Sequence, residues 1–324
     1  MNKRKETFYA KILLFGEYSI LCNSMGLTVP YIHFKGELSF INEDKYTDYN
    51  YAVHSNQMLG DFHSWLTGDG FHKNYSSLLK LEMLEQDIRN GLYFDSTIPQ
   101  GYGIGSSGAL VAATYAWYAT DRIPNTSRIT KNQIQKLLSL FSYMEAFFHG
   151  QSSGIDPLNC YIKHPLLIKS RNDISIVGIP RNEQDNNGAI FLINTGKTGK
   201  TGPLVNKFIQ NLKQPEFENS ILKELIPVNN ECIRSIIKGD IVSLFKNLKL
   251  LSAFSLNNFK EMIPRGIENV WKQGLDSDTF YLKLCGSGGG GFILGFTKNY
   301  NVTFNQLSAL QIEMIPVYMS SHRN

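Results

Sequence analysis

The chain has 324 residues, of which 42% are hydrophobic, 19% charged and 12% aromatic. This composition excludes a disordered chain, a collagen-like chain and a disulfide-stapled mini-protein, and at about 150 residues per domain the length predicts two domains. The formal net charge of +4 is too small to predict binding to nucleic acid or to a membrane. The 27 glycines are close to average usage, yet nine of them lie in two short clusters, at 101–108 and 286–291.

The four cysteines give no sign of a metal site, because none stands in a Cys-x-x-Cys pair or in a Cys/His cluster with zinc spacing. We therefore expect reduced thiols in a cytoplasmic protein. Basic residues at 3–5 precede an apolar run at 12–15, but Lys11 and Glu17 interrupt it and no small-residue cleavage site follows, so we expect no signal peptide. No segment approaches the ~18 uninterrupted apolar residues of a membrane span.

The beginning of the chain predicts a strand, a loop and a helix in turn. Residues 8–15 form an apolar run that predicts a strand, in which Lys11 on its own is most simply interpreted as a solvated edge lysine. The polar and aromatic stretch 40–51 predicts a hairpin edge or a loop. Apolar residues at helical spacing predict a helix over 76–90.

The first glycine cluster lies between a short predicted strand at 92–98 and a buried helix predicted over 106–120 from its alanine and apolar residues. A further helix begins at Thr130, which forms a capping box with Gln133, and Gly150 is placed to end it.

One carboxylate of this helix lies on its apolar face. Glu145 is three or four residues from Phe141 and Phe148, so its side chain points along that face instead of away from it. An unpaired buried charge is too costly to keep. Glu145 is therefore expected to be paired or to hold a metal ion.

The second half of the chain again mixes strands and helices. The polar loop 181–188 is the candidate domain boundary, which gives an N-terminal domain of residues 1–185 and a C-terminal domain of residues 186–324. The other predicted elements are strands at 165–180, 189–194 and 292–296, and helices around 203–212, 219–238 and 240–259. This pattern, with no repeat of fixed period, predicts an α+β or α/β protein.

The first glycine cluster reads Pro-Gln-Gly-Tyr-Gly-Ile-Gly-Ser-Ser-Gly from Pro99 to Gly108. Glycines let backbone N–H groups turn toward an anion, and the N-terminus of the following helix adds a favourable dipole, so the cluster predicts a phosphate site. The serine hydroxyls can bind a phosphate oxygen or Mg²⁺. The alternative is an ordinary tight turn between a strand and a helix.

Two known phosphate motifs fit this cluster poorly. A Walker A loop is excluded because no Gly-Lys-Ser/Thr follows. Gly103, Gly105 and Gly108 match the dinucleotide fingerprint, and Asp121 lies near the offset of its ribose-binding acid. The preceding residues do not form the continuous buried strand which that fingerprint needs, so a nucleotide-dependent oxidoreductase is disfavoured.

The second glycine cluster, Gly286 to Gly291, has five glycines in six residues between two strands. An ordinary hairpin needs only about two glycines. Close approach of the backbone to a ligand is the better explanation, and the cluster would then supply flexible backbone donors.

A third segment, His149-Gly-Gln-Ser-Ser-Gly-Ile-Asp156, follows the helix that carries Glu145. A helix end and a return loop would bring the carboxylates of Glu145 and Asp156 to one place. One could then hold Mg²⁺ while the other accepts a proton from a hydroxyl nucleophile. Taken alone, Asp156 would be an ordinary turn residue.

These segments, in this order, resemble the motifs of the GHMP small-molecule kinases. The three motifs are Lys11-Ile-Leu-Leu-Phe-Gly-Glu-Tyr18, the Gly-Ile-Gly-Ser-Ser-Gly core of the first cluster, and Lys283-Leu-Cys-Gly-Ser-Gly-Gly-Gly-Gly291. The stretch from His149 to Asp156 is similar to the segment around the catalytic aspartate of mevalonate kinases. The resemblance covers residues 8–296 and implies a two-domain α+β fold, with a ribosomal S5 domain 2-like N-terminal domain and a ferredoxin-like C-terminal domain.

The resemblance also implies roles for single residues, with ATP and Mg²⁺ as cofactors. Asp156 would be the base for the substrate hydroxyl, and Lys11 would lower the pKa of that hydroxyl. Ser107 and Glu145 would coordinate Mg²⁺. The residues that would bind the ATP phosphates are Gly101, Gly103, Ile104, Gly105, Ser106, Ser107 and Gly108. Those on the substrate side would be Tyr18, Thr201 and Gly288.

The implied reaction is phosphorylation of the primary hydroxyl of mevalonate for isoprenoid synthesis, and a homodimer is the family expectation. Two departures keep phosphomevalonate kinases and other GHMP sugar or polyol kinases as alternatives: Tyr18 stands where mevalonate kinases usually have a histidine, and Gly108 replaces a common alanine. Gly291 favours mevalonate, because phosphomevalonate kinases more often have an aspartate there. A non-catalytic ligand-binding protein on this scaffold is disfavoured, because all four candidate catalytic and metal-binding residues are retained.

Overall fold

The structure is a computed structural model that describes residues 6–41, 48–70, 75–180, 187–199 and 201–319. It divides into two compact units, each assembled from separate pieces of the chain. The first unit holds residues 1–11, 30–99 and 105–164, and the second holds residues 12–29, 100–104 and 165–324. The predicted domain boundary between residues 185 and 186 lies outside the described residues, so that division stays a prediction.

Two long strands, β1 (Phe8–Phe15) and β2 (Gly26–Phe40), contribute residues to both units. In the first unit, the last residues of β2 pair antiparallel with β3 (Leu92–Ser96). The predicted first strand is confirmed, whereas β2 was not predicted. Pro30 and Gly36 interrupt its apolar pattern, and both residue types are usually depleted in strands.

Five well-defined α-helices lie within the described residues of the first unit. They are α1 (Tyr49–Thr67), α2 (Leu81–Arg89), α3 (Ser106–Tyr118), α4 (Lys131–His149) and α5 (Ile155–Ile162). Helix α3 packs against α4 and α5, and α1 packs against β3 and α2. Nearly all of α3 is buried, which confirms the predicted buried helix after the first glycine cluster.

Helix α4 has the ends that its sequence predicts. The Thr130 side chain accepts a hydrogen bond from the Gln133 backbone N–H, and the Gln133 side chain accepts from the Thr130 backbone N–H. Gly150 follows the last turn with a positive φ of 74°. These caps fix where α4 stops, and they therefore fix the start of the loop that leads to Asp156.

Residues 40–51 were interpreted as a hairpin edge or a loop. The described residues of this stretch, 40–41 and 48–51, do not form such an element. Phe40 is the last residue of β2, and Tyr49 begins α1. Residues 42–47 lie outside the described part of the chain. A helix signal was present, because Asp48 caps α1 by accepting hydrogen bonds from the N–H groups of Asn50 and Tyr51.

The second unit contains two short antiparallel strand pairings that begin with β2. The first residues of β2 pair with β4 (Leu166–Ser170), which pairs with β5 (Asp173–Ile176), both antiparallel. The single strand predicted over 165–180 is therefore a hairpin. Its turn lies at residues 171–172, where an asparagine favours a turn and not a strand.

The main sheet of the second unit has four antiparallel strands in the order β7-β8-β6-β9. They are β6 (Ala189–Asn194), β7 (Phe280–Leu284), β8 (Phe292–Thr297) and β9 (Met314–Met319). Helices lie between β6 and β7 and between β8 and β9, which gives the β-α-β-β-α-β arrangement of ferredoxin-like domains. The expected ferredoxin-like C-terminal fold is confirmed.

The described part of the second unit contains six α-helices. They are α6 (Thr201–Asn211), α7 (Pro215–Ser220), α8 (Ile226–Lys238), α9 (Ile241–Asn258), α10 (Ile267–Ser277) and α11 (Tyr300–Ala309). A π-helical turn at Ile221–Leu225 joins α7 to α8. Pro227 explains this turn, because proline has no N–H for the regular helical hydrogen bond.

The predicted free thiols are confirmed, since Cys22, Cys160, Cys232 and Cys285 are all unbridged. Within the described residues, no helix combines the length and the apolar character needed to cross a membrane.

Candidate active site

A lysine and an aspartate form an ion pair in the first unit. Lys11 lies in β1 and is 4% exposed, and its Nζ is 2.8 Å from Oδ2 of Asp156. The Asp156 side chain is 38% exposed, so it faces solvent while its partner is buried. Gly105 makes room for Lys11, because a Cβ at residue 105 would lie 2.8 Å from Cγ of the lysine. The interpretation of Lys11 as a solvated edge lysine is therefore wrong.

Asp156 belongs to the first turn of α5, where the helix dipole favours a carboxylate. A close approach of α3 holds this turn in place. A Cβ at Gly108 would lie 2.9 Å from the carbonyl carbon of Asp156 and 2.9 Å from the nitrogen of Pro157. Gly108 is thus explained by helix packing, and the alternative of an isolated turn residue for Asp156 is wrong.

Glu145 lies in α4 and is 4% exposed, as its place on the apolar face predicted. Its Oε1 accepts a hydrogen bond of 3.2 Å from the Ser107 hydroxyl, and its Oε2 accepts one from the Ser152 hydroxyl. Burial, and then the negative charge of Asp156, raise the pKa of Glu145 to about 8. The hydroxyls and the charge of Lys11 offset this only in part. The site therefore favours a cation beside Glu145.

The Ser107 hydroxyl also lies 3.0 Å from Nε2 of His149, at the C-terminal end of α4. Burial lowers the pKa of His149 below its usual value. A hydroxyl has one hydrogen and two lone pairs, so Ser107 can donate to one neighbour while it accepts from another. Ser107 therefore joins the start of α3 to the end of α4.

Ser152 is held in place by its own loop. The Ser142 hydroxyl donates to the Ser152 carbonyl over 2.5 Å, and the Gly154 N–H donates to the Ser152 hydroxyl oxygen over 2.9 Å. The loop thus lies against α4 before it enters α5. This arrangement fixes the hydroxyl that faces Glu145 and leads the chain directly to Asp156.

The first glycine loop contributes residues to both units, with 100–104 in the second and the residues from Gly105 onward in the first. Ile104 is buried, whereas Ser106 and Ser107 are partly exposed in the first turn of α3. The N-cap residue of α3 is Gly105, which has no side chain to bind the first N–H groups of the helix. Its first N–H groups are therefore available to an anion, as the phosphate prediction requires.

The second glycine loop, at 286–291, lies in the second unit. Its Gly289 N–H donates to the Met262 carbonyl over 2.6 Å, and its Gly291 N–H donates to the Lys197 carbonyl over 2.5 Å. The sequence predicted flexible backbone donors in this loop. The structure instead uses these two donors in bonds to the protein itself.

Two predicted substrate-side residues accompany this loop in the second unit. Tyr18 is 5% exposed, and its hydroxyl donates to the Ser287 carbonyl over 2.6 Å. Gly288 lies between Ser287 and the Gly289 N–H just described. Thr201 begins α6, but its side chain lies outside the described part of the structure, so its role stays a prediction.

Known proteins resemble this chain in sequence. Residues 73–162 match the family model of the GHMP kinases N terminal domain. A mevalonate kinase of Archaeoglobus fulgidus is 25% identical over 206 residues, which cover 63% of this chain and 64% of that relative. The match thus spans less than two thirds of the relative's length.

Solved structures resemble the whole chain. The L. major mevalonate kinase, in complex with R-mevalonate, has a TM-score of 0.64 at 17% identity and covers 99% of this chain and 98% of its own. The Streptococcus pneumoniae phosphomevalonate kinase, in complex with phosphomevalonate and AMPPNP, has a TM-score of 0.61 at 14% identity, with coverages of 96% and 99%. This chain has the GHMP kinase fold. The resemblance found in the motifs is confirmed.

The GHMP kinase domain matched in sequence contains Gly101 to Gly108, Glu145 and Asp156. The structure brings four predicted residues into one cluster of the first unit: Lys11, Ser107, Glu145 and Asp156. We call them the polar cluster.

Sequence reasoning assigned no role to two residues that contact this cluster, His149 and Ser152. Both stand in the third segment quoted from the sequence. Their signal was the spacing: His149 is four residues after Glu145 on the same helix face, and Ser152 follows the glycine that ends the helix.

Mg²⁺ fits the oxygen donors of this cluster. Mg²⁺ is held by few carboxylates together with substrate phosphates and water. Glu145 supplies a buried carboxyl group whose pKa is raised first by burial and then by the charge of Asp156, and Ser107 adds a hydroxyl oxygen. Among the described residues, no group of three or more His, Cys, Asp or Glu could hold a metal on its own. The cluster therefore suits a metal that arrives with a nucleotide.

Proposed function

We propose that the chain is an ATP- and Mg²⁺-dependent kinase that phosphorylates the primary hydroxyl of mevalonate. The observation that carries the proposal is the ion pair of Lys11 and Asp156, which lies in one unit with the buried Glu145 and the free N-terminus of α3. Phosphoryl transfer needs a proton acceptor, fixed positive charge and a phosphate cradle, and very little covalent chemistry. This cluster offers each of them.

Asp156 is the proton acceptor in this proposal. The Asp156 side chain is partly exposed, so an incoming hydroxyl can reach it, whereas the side chain of Lys11 is buried. The ion pair with the lysine holds the carboxyl group of Asp156 in place. The positive charge of Lys11 also stabilises the oxygen of the hydroxyl as the proton leaves.

Glu145 and Ser107 are the residues that would hold Mg²⁺. When bound, the metal neutralises charge on the phosphates of ATP. The chain's own contribution is orientation: two serine hydroxyls, from Ser107 and Ser152, bind the two oxygens of Glu145 and fix the plane of its carboxylate.

The residues from Gly101 to Gly108 would bind the ATP phosphates. Helix α3 begins directly at Ser106, so its unpaired N–H groups and its dipole face the glycine loop. The neighbour from S. pneumoniae was solved with an ATP analogue. We extend nucleotide binding to this chain on the likeness of its fold and motifs.

Fewer observations support the choice of substrate than support the choice of reaction. Mevalonate is favoured by the relative from A. fulgidus and by Gly291 at the end of the second glycine loop. Gly108 no longer favours phosphomevalonate, since packing against Asp156 explains it. Phosphomevalonate, or another alcohol, remains the second candidate because Tyr18 replaces the usual histidine.

Three further statements belong to the proposal and come from the family likeness. They are a cytoplasmic location, a place in isoprenoid synthesis, and a homodimer that binds small molecules but neither nucleic acid nor membrane. Light scattering behind size-exclusion chromatography would test the homodimer directly.

A coupled assay of ADP release tests the function. The protein is given ATP and Mg²⁺ with mevalonate or with phosphomevalonate in parallel, and the Asp156→Asn variant is measured beside it. We expect turnover on mevalonate and a loss of kcat of about 10²- to 10⁴-fold in the variant, as for removal of a general base. Phosphate release without an alcohol substrate is subtracted as background.

Asp173→Asn is the matched control, because Asp173 is a partly exposed aspartate on β5, 37% exposed, that lies 4.0 Å from a lysine, Lys169. It should keep the parent kcat. Turnover on phosphomevalonate alone would overturn the choice of substrate. Undiminished turnover in Asp156→Asn would remove Asp156 from the base role, and ATP binding without turnover on any alcohol would favour a non-catalytic protein.

A further inference from the structure

Tyr18 has a backbone conformation that bulky residues rarely adopt. Its φ is 61° and its ψ is −45°. A positive φ brings the Cβ of an L-residue too close to its own backbone, so the conformation persists only where the surroundings impose it. The contacts of the Tyr18 side chain should therefore show which interactions hold the backbone in this conformation.

The Tyr18 ring is fixed on two sides. Its centroid lies 4.8 Å from that of Phe208 in α6 and 5.4 Å from that of Phe259 at the end of α9. With 5% of its surface exposed, the side chain has one orientation available. That orientation directs the hydroxyl to the Ser287 carbonyl, at 2.6 Å.

The preceding residue holds the same segment at another point. Glu17 has 6% of its side chain exposed, and its Oε1 lies 2.5 Å from Nζ of Lys283. Lys283 is the fourth residue before Ser287, and the Lys283 ammonium also donates to the Leu284 carbonyl over 2.8 Å. Two consecutive residues, Glu17 and Tyr18, thus hold both ends of the segment 283–287, which leads into the second glycine loop.

The far side of that loop is held by other elements. The Met262 carbonyl accepts from the Gly289 N–H, and the Lys197 carbonyl accepts from the Gly291 N–H. Glycines have the largest conformational freedom of all residues, so a run of them needs such anchors to keep one shape. The bond from Tyr18 is made by a side-chain hydroxyl, so a single substitution can remove it, whereas the bonds to the Met262 and Lys197 carbonyls are made by the backbone.

The direction of the Tyr18 hydrogen bond limits what the hydroxyl can do for a ligand. A phenol has one hydrogen, and here that hydrogen faces the Ser287 carbonyl. Toward a ligand, the oxygen can then only accept. It cannot donate to a carboxylate or a phosphate, as a histidine in that place could.

We propose that Tyr18 is a positioning residue, which fixes the second glycine loop through Ser287 instead of binding an anionic group of the substrate. The structural part of this inference does not depend on the proposed function. Its kinetic consequence does rest on the proposed kinase, because it assumes that the loop supports the substrate side.

Hydrogen exchange of the backbone, read by mass spectrometry, tests the structural part. Tyr18→Phe keeps the ring and removes only the hydroxyl. We expect exchange in peptides that contain residues 285–291 to be roughly three- to tenfold faster, as for loss of one partly buried hydrogen bond. Peptides of the first unit should exchange as in the parent. Exchange at 285–291 equal to the parent would overturn the proposal.

Tyr51→Phe is the matched control, because the Tyr51 hydroxyl also donates to a backbone carbonyl, that of Phe94, over 3.0 Å in the first unit. It should leave exchange at 285–291 unchanged. Equal acceleration there in both variants would overturn the proposal, since the effect would then be global. If Tyr18→Phe does not fold, Tyr18→His is measured in the same way, and failure of both to fold would assign Tyr18 to the core and overturn the proposal.

Kinetics separate positioning from direct contact. In Tyr18→Phe we expect KM for the alcohol to rise about three- to tenfold, with KM for ATP changed less than twofold. A raised KM with unchanged exchange would make Tyr18 a substrate ligand and overturn the proposal. Faster exchange in a protein that turns over no alcohol would uphold the loop-positioning role while the proposed function fails.

Discussion

Two buried glutamates, one in each unit, have opposite surroundings. Glu17 in the second unit lies 2.5 Å from the buried ammonium of Lys283. Glu145 in the first unit is bound by two hydroxyls and repelled by the charge of Asp156, and its pKa is raised to about 8 by burial first and by that charge second. The side chain of Glu17 is 6% exposed and the whole residue of Glu145 is 4% exposed, so both carboxyl groups are largely removed from water and the partner decides the chemistry.

The difference teaches how to tell a structural carboxylate from a functional one. A buried carboxylate is costly unless a counter-charge accompanies it. The chain supplies that counter-charge for Glu17 permanently. For Glu145 it supplies hydroxyls, which orient the carboxylate without neutralising it, so the balance is left for a cation that comes with a ligand.

The same substitution at the two sites should therefore have different results, and the largest effect is expected on activity at Glu145. Glu145→Gln keeps the shape of the side chain and removes its charge. We expect kcat to fall about 10³-fold, because the metal loses its charged ligand. The free energy of unfolding at pH 7 without metal should stay about equal, since a carboxyl group with a pKa of about 8 is already largely neutral there.

Steady-state kinetics and urea unfolding of the same preparation measure both quantities, and calorimetric titration with Mn²⁺ in the presence of ATP gives a readout besides turnover. Metal affinity should fall together with kcat. A variant with the parental kcat and a lower free energy of unfolding would show that Glu145 has a structural role, and would contradict the difference proposed between Glu145 and Glu17.

The second largest effect is expected on stability at Glu17. Glu17→Gln leaves the Lys283 ammonium buried without its counter-charge, at 5% exposed. Removal of one partner from a buried ion pair costs about 3–5 kcal/mol. We expect a loss of that size in the free energy of unfolding from urea titration.

The double variant Glu17→Gln with Lys283→Met removes both charges and serves as the control. It should recover most of the lost stability, because no unpaired charge remains. A single variant that costs less than about 1 kcal/mol, or a double variant no better than the single one, would contradict the assignment of this pair as structural.

The sequence predicted Glu145 well and the Lys11–Asp156 pair poorly, for a physical reason. The burial of Glu145 follows from helix periodicity, which is a local property. Lys11 and Asp156 are far apart in the chain, and their contact depends on how β1 lies against α5 in the first unit. Only the resemblance to a kinase family connected them.

The fold shows the same division. The capped helix α4 and the buried helix α3 were predicted because their signals are local. Strand β2 was missed because its 15 residues include a proline and two glycines, which strands usually avoid, and the tertiary context overrides that preference. The positive φ of Tyr18 has no local signal, since no glycine or asparagine stands there.

The smallest effect is expected at a third glutamate, Glu6, which has two cationic partners but is more exposed than Glu17. Its oxygens lie 2.9 Å from Arg122 and 3.0 Å from Lys163, and its side chain is 23% exposed. Burial acts to raise the pKa of Glu6, but the hydrogen bonds and charges of these two residues outweigh it, so the pKa lies below its usual value of 4.5.

A lowered pKa in the folded state gives stability that is present above the unfolded pKa and is lost as the pH falls through the folded one. Glu6→Gln should thus lower the free energy of unfolding by about 1 kcal/mol at pH 7, as for a partly exposed ion pair. The difference from the parent should shrink below about pH 4.5 and vanish in stronger acid. Urea titrations at pH 7, 5 and 3.5 measure it, with a matched substitution of the exposed Glu313 as control. A difference that stays constant with pH would mean that the shape of the Glu6 side chain, and not its charge, contributes the stability. Glu6 would then not belong with Glu17 as a carboxylate stabilised by a counter-charge.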